Sequence, residues 1–367
     1  MSSCNFLEVC RDVTKTARKI PQSVYLLQGN YKIFDQGKQY IAGYTNDSEG
    51  IVSDYPYIVF GDHTRILKFV TEPCFIGADG VKLLKVYNED FIPQYVYYAL
   101  LAQPIENQGY SRHFKYLKEL NIEIYTKEEQ NAIVSELDKI QAALDNKKEQ
   151  LKKLDELIQS RFYEMFGDPV VNDKGWEVEK LGKLGTLKNG LNYSQNEEGY
   201  AIRILSVSDF KERFKLEDVT LLSTISLNQM PSDEMLLKNG DIVFVRSNGN
   251  KRLVGRSLLV YPGDEPTSFS GFCIRFRNCC EQIDNVYLVT CLKTESIREK
   301  LFGRGANISN LNQTMLQSLV IPRPPLLLQQ TYTSYVEKVE QAKAIVNQEI
   351  AHLQELLNSR MDFYFRK

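Results

Sequence analysis

The feature that most constrains this chain is an internal repeat in which two copies of one long helical segment alternate with two unrelated stretches. Shifted by 199 residues, positions 117–166 align with 316–365 without a gap, and 13 of the 50 positions are identical. The shared residues include Gln130/Gln329, Lys139/Lys338, Ala143/Ala342, Leu154/Leu353, Leu157/Leu356, Ser160/Ser359 and Arg161/Arg360. Generic amphipathic helices do not explain the shared glutamine or the common Ser-Arg ending. In the first copy Ile133, Leu137, Ile140, Leu144, Leu151, Leu154 and Ile158 follow three-and-four spacing, broken at Lys147. In the second, Val336, Val339, Val346, Ile350, Leu353 and Leu357 do the same, broken at Lys343. Such a seam calls for a partner helix, and each copy has the other. About 38 helical residues would span roughly 55–60 Å.

Chain order then predicts the architecture. The order domain, helix, domain, helix leaves no spare linker for parallel pairing, so antiparallel pairing is expected. The expected fold class is α+β, with two globular domains separated by two long helices that form an antiparallel coiled coil with pseudo-two-fold symmetry. The domains fall at 1–116 and 167–315, with the helical regions at 117–166 and 316–367.

Charge gives little help. The net charge is −2, whereas simple DNA-binding domains are mostly basic. By segment, Lys plus Arg against Asp plus Glu run 12 to 12, 8 to 11, 19 to 19 and 6 to 5. Any nucleic-acid face must therefore come from local clustering of cations. No apolar run approaches ~18 residues, so no membrane partner is expected. The start, MSSCNFLEVCRDVTK, carries charges where a signal peptide needs an apolar stretch, and a cytoplasmic location is expected. The seven cysteines include no CxxC pair and read as plain thiols, with no metal site.

The two non-repeated stretches are rich in Tyr, Phe, Val, Ile and turn residues. YPYIVF (55–60), GDIVFVR (240–246) and RSLLVYP (256–262) read as strands. Positions 95–102 and 287–293 read as short helices or buried strands. An α+β domain with a strongly bent sheet and long loops is expected in each. The sharpest stretch is 240–260, where a strand ends in Arg246, Ser247, Asn248, Gly249, Asn250, Lys251 and Arg252, with Arg256 beyond. Arg pairs with guanine and Asn with adenine in the major groove, while Ser, Lys and backbone amides hold phosphates. SNGN is also a strong hairpin turn, but the paired architecture favours a DNA-reading loop. In the first domain the candidate contacts are Lys32, Lys38, Tyr44, His63, Thr64, Arg65, Lys68, Arg112 and Lys115. Tyr193 and Arg304 complete the set in the second. Asp62 could orient His63 as a base, but no matched nucleophile stands nearby, and no catalytic residue is assigned.

Motifs for chemistry are missing. The chain has no NPPY-like or DPPY-like tetrapeptide, no GxxxxGK[ST] loop and no HExxH. Recognition is therefore expected, with a coiled-coil protein-interaction scaffold without DNA binding as the main alternative. An enzyme with an unfamiliar site is the other.

Several stretches carry a family resemblance. SRFYEMFGDPVVNDKGWEVEKLGKLG (160–185), the VFGDHTR and GADGVKLL block (59–84), GDIVFVRSNGN (240–250) and GRGANISNLNQTMLQSLVIPRPPLLLQQ (303–330) resemble the specificity subunit of type I restriction–modification enzymes. The likeness extends over essentially the whole chain. The N-terminus departs from it by lacking a GW…LG opening, for which FLEVCRDV (6–13) would be a reduced form. The resemblance implies two target-recognition domains reading a bipartite site on double-stranded DNA, with the helices as a ruler between half-sites. It implies docking of two methyltransferase (modification) subunits and of restriction (translocase/nuclease) subunits. The chain itself would be non-catalytic and hold no cofactor. S-adenosylmethionine, ATP and magnesium would serve the partner subunits, in a holoenzyme that is an adenine DNA methyltransferase and ATP-dependent endonuclease.

Overall fold

A computed structural model describes residues 2–109, 111–194, 197–210, 214–250, 253–302 and 310–366, with side chains at all of these but Phe302. The chain divides into two compact units, Met1–Glu149 with Val346–Lys367, and Gln150–Ile345.

The first unit opens with β1 (Ser3–Asn5), the single-turn helix α1 (Phe6–Val9) and β2 (Cys10–Asp12). There follow β3 (Lys19–Ile20), β4 (Tyr31–Phe34), β5 (Gly43–Thr45), β6 (Tyr57–Gly61), β7 (Leu67–Val70), β8 (Cys74–Gly77) and β9 (Val81–Val86). Next come α2 (Pro93–Leu101), α3 (Phe114–Leu117), β10 (Asn121–Glu123) and the long helix α4 (Lys127–Phe166). One sheet has the order β2-β9-β6-β7 and is antiparallel throughout. A second has the order β3-β8-β4-β5, with β8 parallel to both β3 and β4. β1 and β10 form a separate antiparallel ribbon.

The second unit repeats this plan. It contains β11 (Glu177–Lys180), α5 (Leu181–Leu184), β12 (Gly185–Asn189), β13 (Tyr200–Leu205), β14 (Lys215–Leu216), β15 (Ser223–Leu227) and β16 (Asp241–Val245). It continues with β17 (Ser257–Val260), β18 (Thr267–Phe269), β19 (Cys273–Asn278), α6 (Asn285–Lys293), α7 (Glu295–Phe302), α8 (Gln313–Gln317), β20 (Val320–Arg323) and the long helix α9 (Leu326–Phe365). The sheet β12-β19-β16-β17 matches β2-β9-β6-β7 pair for pair, and β14 adds a fifth strand. The sheet β15-β13-β18 matches β5-β4-β8, with β13 and β18 parallel as β4 and β8 are. Two sheets and a ribbon thus replace the single bent sheet expected in each head.

Both long helices are capped by their own sequence. Thr126 and Glu129 form a reciprocal capping pair at the start of α4. Gly167, at φ +74°, ends that helix and donates its N–H to Tyr163 O. Pro324 and Pro325 stop β20 and precede α9.

Within each unit one half of α4 lies antiparallel to one half of α9. In the first unit Ile133, Leu137, Ile140 and Leu144 share a core with Leu357, Met361 and Phe365. Glu136 pairs with Arg360 at 2.9 Å and Lys147 with Glu349 at 2.7 Å. In the second unit Ile158, Phe162 and Phe166 pack with Tyr332, Val336 and Val339. There Lys343 pairs with Asp155 at 2.7 Å, and the Arg161 guanidinium lies over the Tyr335 ring. The two lysines that interrupt the seams are therefore ion-paired across them.

The repeated glutamines explain their identity. Gln130 is fully buried, accepts from Ile92 N at 2.7 Å and donates to the carbonyls of Asp90 and Tyr125. Gln329 is equally buried, accepts from Asp284 N at 2.9 Å and donates to the carbonyls of Gln282 and Pro324. Each fastens the residue before a nine-residue helix, α2 or α6, to the start of a long one. Tyr95 and Tyr287 do matching work, donating to Glu123 O and Pro322 O, both at 2.9 Å. A buried amide with all these partners is costly to replace, because each partner would be left unsatisfied.

Candidate nucleic-acid interface

In each unit four connections converge beyond the sheet ends: those after β4 or β13, after β6 or β16, after β8 or β18, and before α3 or α8. The link β6–β7 runs over 62–66, and its counterpart β16–β17 over 246–256. The anchoring is the same in both. Asp62 N donates to Gly80 O at 2.7 Å, and Arg246 N donates to Phe272 O at 2.7 Å. The carbonyl of Asp62 accepts from His113 N, and that of Arg246 from Leu311 N.

In the second unit these connections enclose an open groove of about 620 Å³. Of the sequence-predicted residues, Tyr193, Ser247 and Asn248 line it. With them stand Ser206, Ser208, Ser270, Phe272 and Asn310, which sequence reasoning missed. Asn248 Oδ1 accepts Asn250 N at 2.7 Å, which shapes the turn. That oxygen keeps a second lone pair, and the amide –NH₂ has no partner among the described residues. The Arg246 side chain is half-buried and reaches Gly271 O at 3.4 Å. Asn250 is exposed at the loop tip. Lys251, Arg252 and Arg304 lie outside the described residues. Arg256 is not at this groove. It lines a separate cleft of about 790 Å³ with Lys293, Arg298, Lys343, Asp155 and Glu340.

In the first unit the corresponding cluster holds His63, Thr64 and Arg65. His63 N donates to Gln36 Oε1 at 3.3 Å, and its Nδ1 lies 3.3 Å from Ser111 O. Thr64 Oγ1 donates to Gln36 O at 2.6 Å. Arg65, at φ +64°, turns its guanidinium to Ile105 O. Arg112 and Lys38 are exposed on neighbouring connections, and Lys115 is exposed on α3. Gln36 and Ser111 carry no charge or motif that could have marked them.

Two predicted cations are otherwise engaged. Lys68 is only 3 % exposed, with its ammonium on Gln39 O at 2.6 Å and near Asp35 at 3.5 Å. Burial lowers its pKa despite Asp35, so this lysine braces the head from inside. Lys32 is ion-paired to both oxygens of Glu72, which raises its pKa. Tyr44 stands opposite it on β5. Asp62 is buried, and its carboxylate accepts Phe114 N at 2.7 Å, which gives it a structural partner other than His63. Burial pushes the thiols of Cys10, Cys74 and Cys273 up to about 12. Among the described residues no His, Cys, Asp and Glu group could hold a metal, and no helix is long and apolar enough to cross a membrane.

Comparison with known proteins places this arrangement. The sequence model of the type I restriction modification DNA specificity domain matches residues 173–355. A Methanocaldococcus jannaschii chain named as the type I restriction enzyme MjaX specificity subunit is 29% identical over 201 residues, covering 52% of this chain and 46% of that one. The type I restriction enzyme StySPI specificity subunit of Salmonella potsdam is 28% identical over 240 residues, 60% of this chain and 50% of that one. These two matches thus span about half of each relative. The Escherichia coli EcoR124I/EcoR124II specificity subunit is 22% identical over 360 residues, 90% and 85% of the two chains. In fold, the chain resembles the crystal structure of the type I restriction–modification S subunit from M. genitalium, with a TM-score of 0.54 at 16% identity over 100% and 96% of the chains. It also resembles a chain from a study of assembly and conformational transition in the type I R-M system, with a TM-score of 0.56 at 16% identity over 100% and 97%. The chain belongs to the family of type I restriction–modification specificity subunits.

Proposed function

We propose that this chain is the non-catalytic DNA-reading subunit of a type I restriction–modification complex, each head reading one half of a bipartite duplex target. One observation carries this reading: the same scaffold presents the same connections in both heads, with different side chains on them. A protein that must read two dissimilar half-sites needs a constant frame and variable loops. The groove of the second head offers hydroxyls, amides and an aromatic face, which suit base edges. Lys38, Arg112, Lys115 and Arg246 supply local cations for phosphates where bulk charge does not. The long helices would dock two methyltransferase subunits, and restriction subunits would join for cleavage. S-adenosylmethionine, ATP and magnesium would be bound by those partners.

The test is to express the chain with its modification subunits and map adenine methylation across a genome. Methylation confined to one bipartite sequence supports the reading. Methylation that ignores this chain, or binding to random and target DNA with equal affinity and no salt dependence, overturns it in favour of a protein scaffold.

A further inference from the structure

The turn between β18 and β19 carries a large apolar side chain that faces outward at the groove. Phe272 is 63 % exposed, although β18 is wholly buried and β19 is buried over its first four residues. Its backbone is held fast. Phe272 O accepts Arg246 N at 2.7 Å, Gly271 N donates to Leu191 O at 2.6 Å, and Cys273 N donates to Ser270 O at 2.8 Å. The ring therefore stands on a rigid turn at the groove lined by Ser247, Asn248 and Asn310. At the matching position of the first head is Gly80, at φ +59°, where a Cβ would meet His63 and Gln36 at 2.7 Å. There the space is filled by the head's own side chains, so the aromatic projection belongs to the second head alone.

Resting on the DNA-reading function proposed above, we infer that Phe272 is a specificity-determining residue whose ring packs on a thymine methyl group in the major groove. Hydroxyls and amides cannot distinguish that methyl, whereas an apolar face can. A pre-fixed ring also loses little conformational freedom on binding. The inference requires at least one thymine in one half-site whose recognition depends on its methyl group.

A thymine-to-uracil scan of both half-sites tests this, because uracil keeps every base-pairing group and lacks only the methyl. The chain assembled with its modification subunits should lose about fourfold in affinity at one position, the equivalent of one buried methyl. Phe272→Ala should bind the target about tenfold more weakly and show no further loss with uracil there, while Phe272→Leu should retain part of the sensitivity. Equal uracil penalties in the wild-type and F272A assemblies would overturn the inference, as would target binding unchanged by F272A. So would a scan showing no sensitive position, or an F272A defect confined to association with the modification subunits. Specific binding with any of these results leaves the DNA-reading function standing. Absence of specific binding by the wild-type assembly removes that function as well.

Discussion

The two heads share a frame and differ at its rim. Strand pairs, the buried glutamine and the buried tyrosine recur in both, yet the link between the two central hairpin strands grows from 62–66 in one to 246–256 in the other. The facing turn changes from Gly80 to Phe272, and where Lys293 and Lys343 line a cleft of the second head the equivalent positions of the first are Leu101 and Leu144. The contrast teaches that the fastenings between each head and its helices are constant, while the rim connections differ in length and in side chains.

The largest effects should come from breaking the shared frame. Gln130→Leu and Gln329→Leu each leave a part-buried backbone N–H and two carbonyls without their amide partner. Each is expected to destabilise its own unit by about 3–5 kcal/mol, since every unsatisfied group costs roughly 1–3 kcal/mol. Hydrogen exchange should show α2 opening in one variant and α6 in the other. A marked inequality between them would mean that the two fastenings are not equivalent.

Next comes the rim. Arg246→Ala or Asn248→Ala should weaken binding to the target by about 1–3 kcal/mol if the lost contact is to a base. An equal fall on target and random DNA, measured by titration of both, would assign the residue to phosphate instead. The exchange of facing residues should be asymmetric. Gly80→Ala forces a Cβ into the left-handed region and should cost about 1–2 kcal/mol in denaturation experiments. Phe272→Ala should stay within about 0.5 kcal/mol, as an exposed position does.

A dependence on pH separates the two heads at the position of Lys293. Burial first, and then the nearby Lys343, lowers the Lys293 pKa to about 8. The folded form gives up this proton before the unfolded chain does, so between about pH 8 and the ordinary lysine value the unfolded state binds more protons. Stability of the second unit should therefore rise with pH through that window. Lys293→Leu, which restores the residue type of Leu101, should remove the rise. Denaturation midpoints of the two proteins that ran parallel across this range would show that Lys293 does not contribute.

The sequence determined whatever is local or repeated in frame. The seam at three-and-four spacing, the capping residues and the ungapped 199-residue repeat specify two long helices, and chain connectivity specifies their antiparallel pairing. It also marked β6, β16 and β17, whose apolar runs are bounded by turns. Only the tertiary structure decided that the heads share a topology. The equivalent pairs Gly61/Val245, Tyr95/Tyr287 and Gln130/Gln329 sit at different separations in the chain, so insertions in the connections hide the match, and strand pairing is non-local. Nor does sequence distinguish a cation that faces solvent from one consumed inside. Lys38 and Lys68 read alike, yet one is exposed and the other braces Gln39 and Asp35 within the head. Phe272 is the converse case: an apolar residue between two strands reads as core, and only the fixed turn that carries it turns the ring outward.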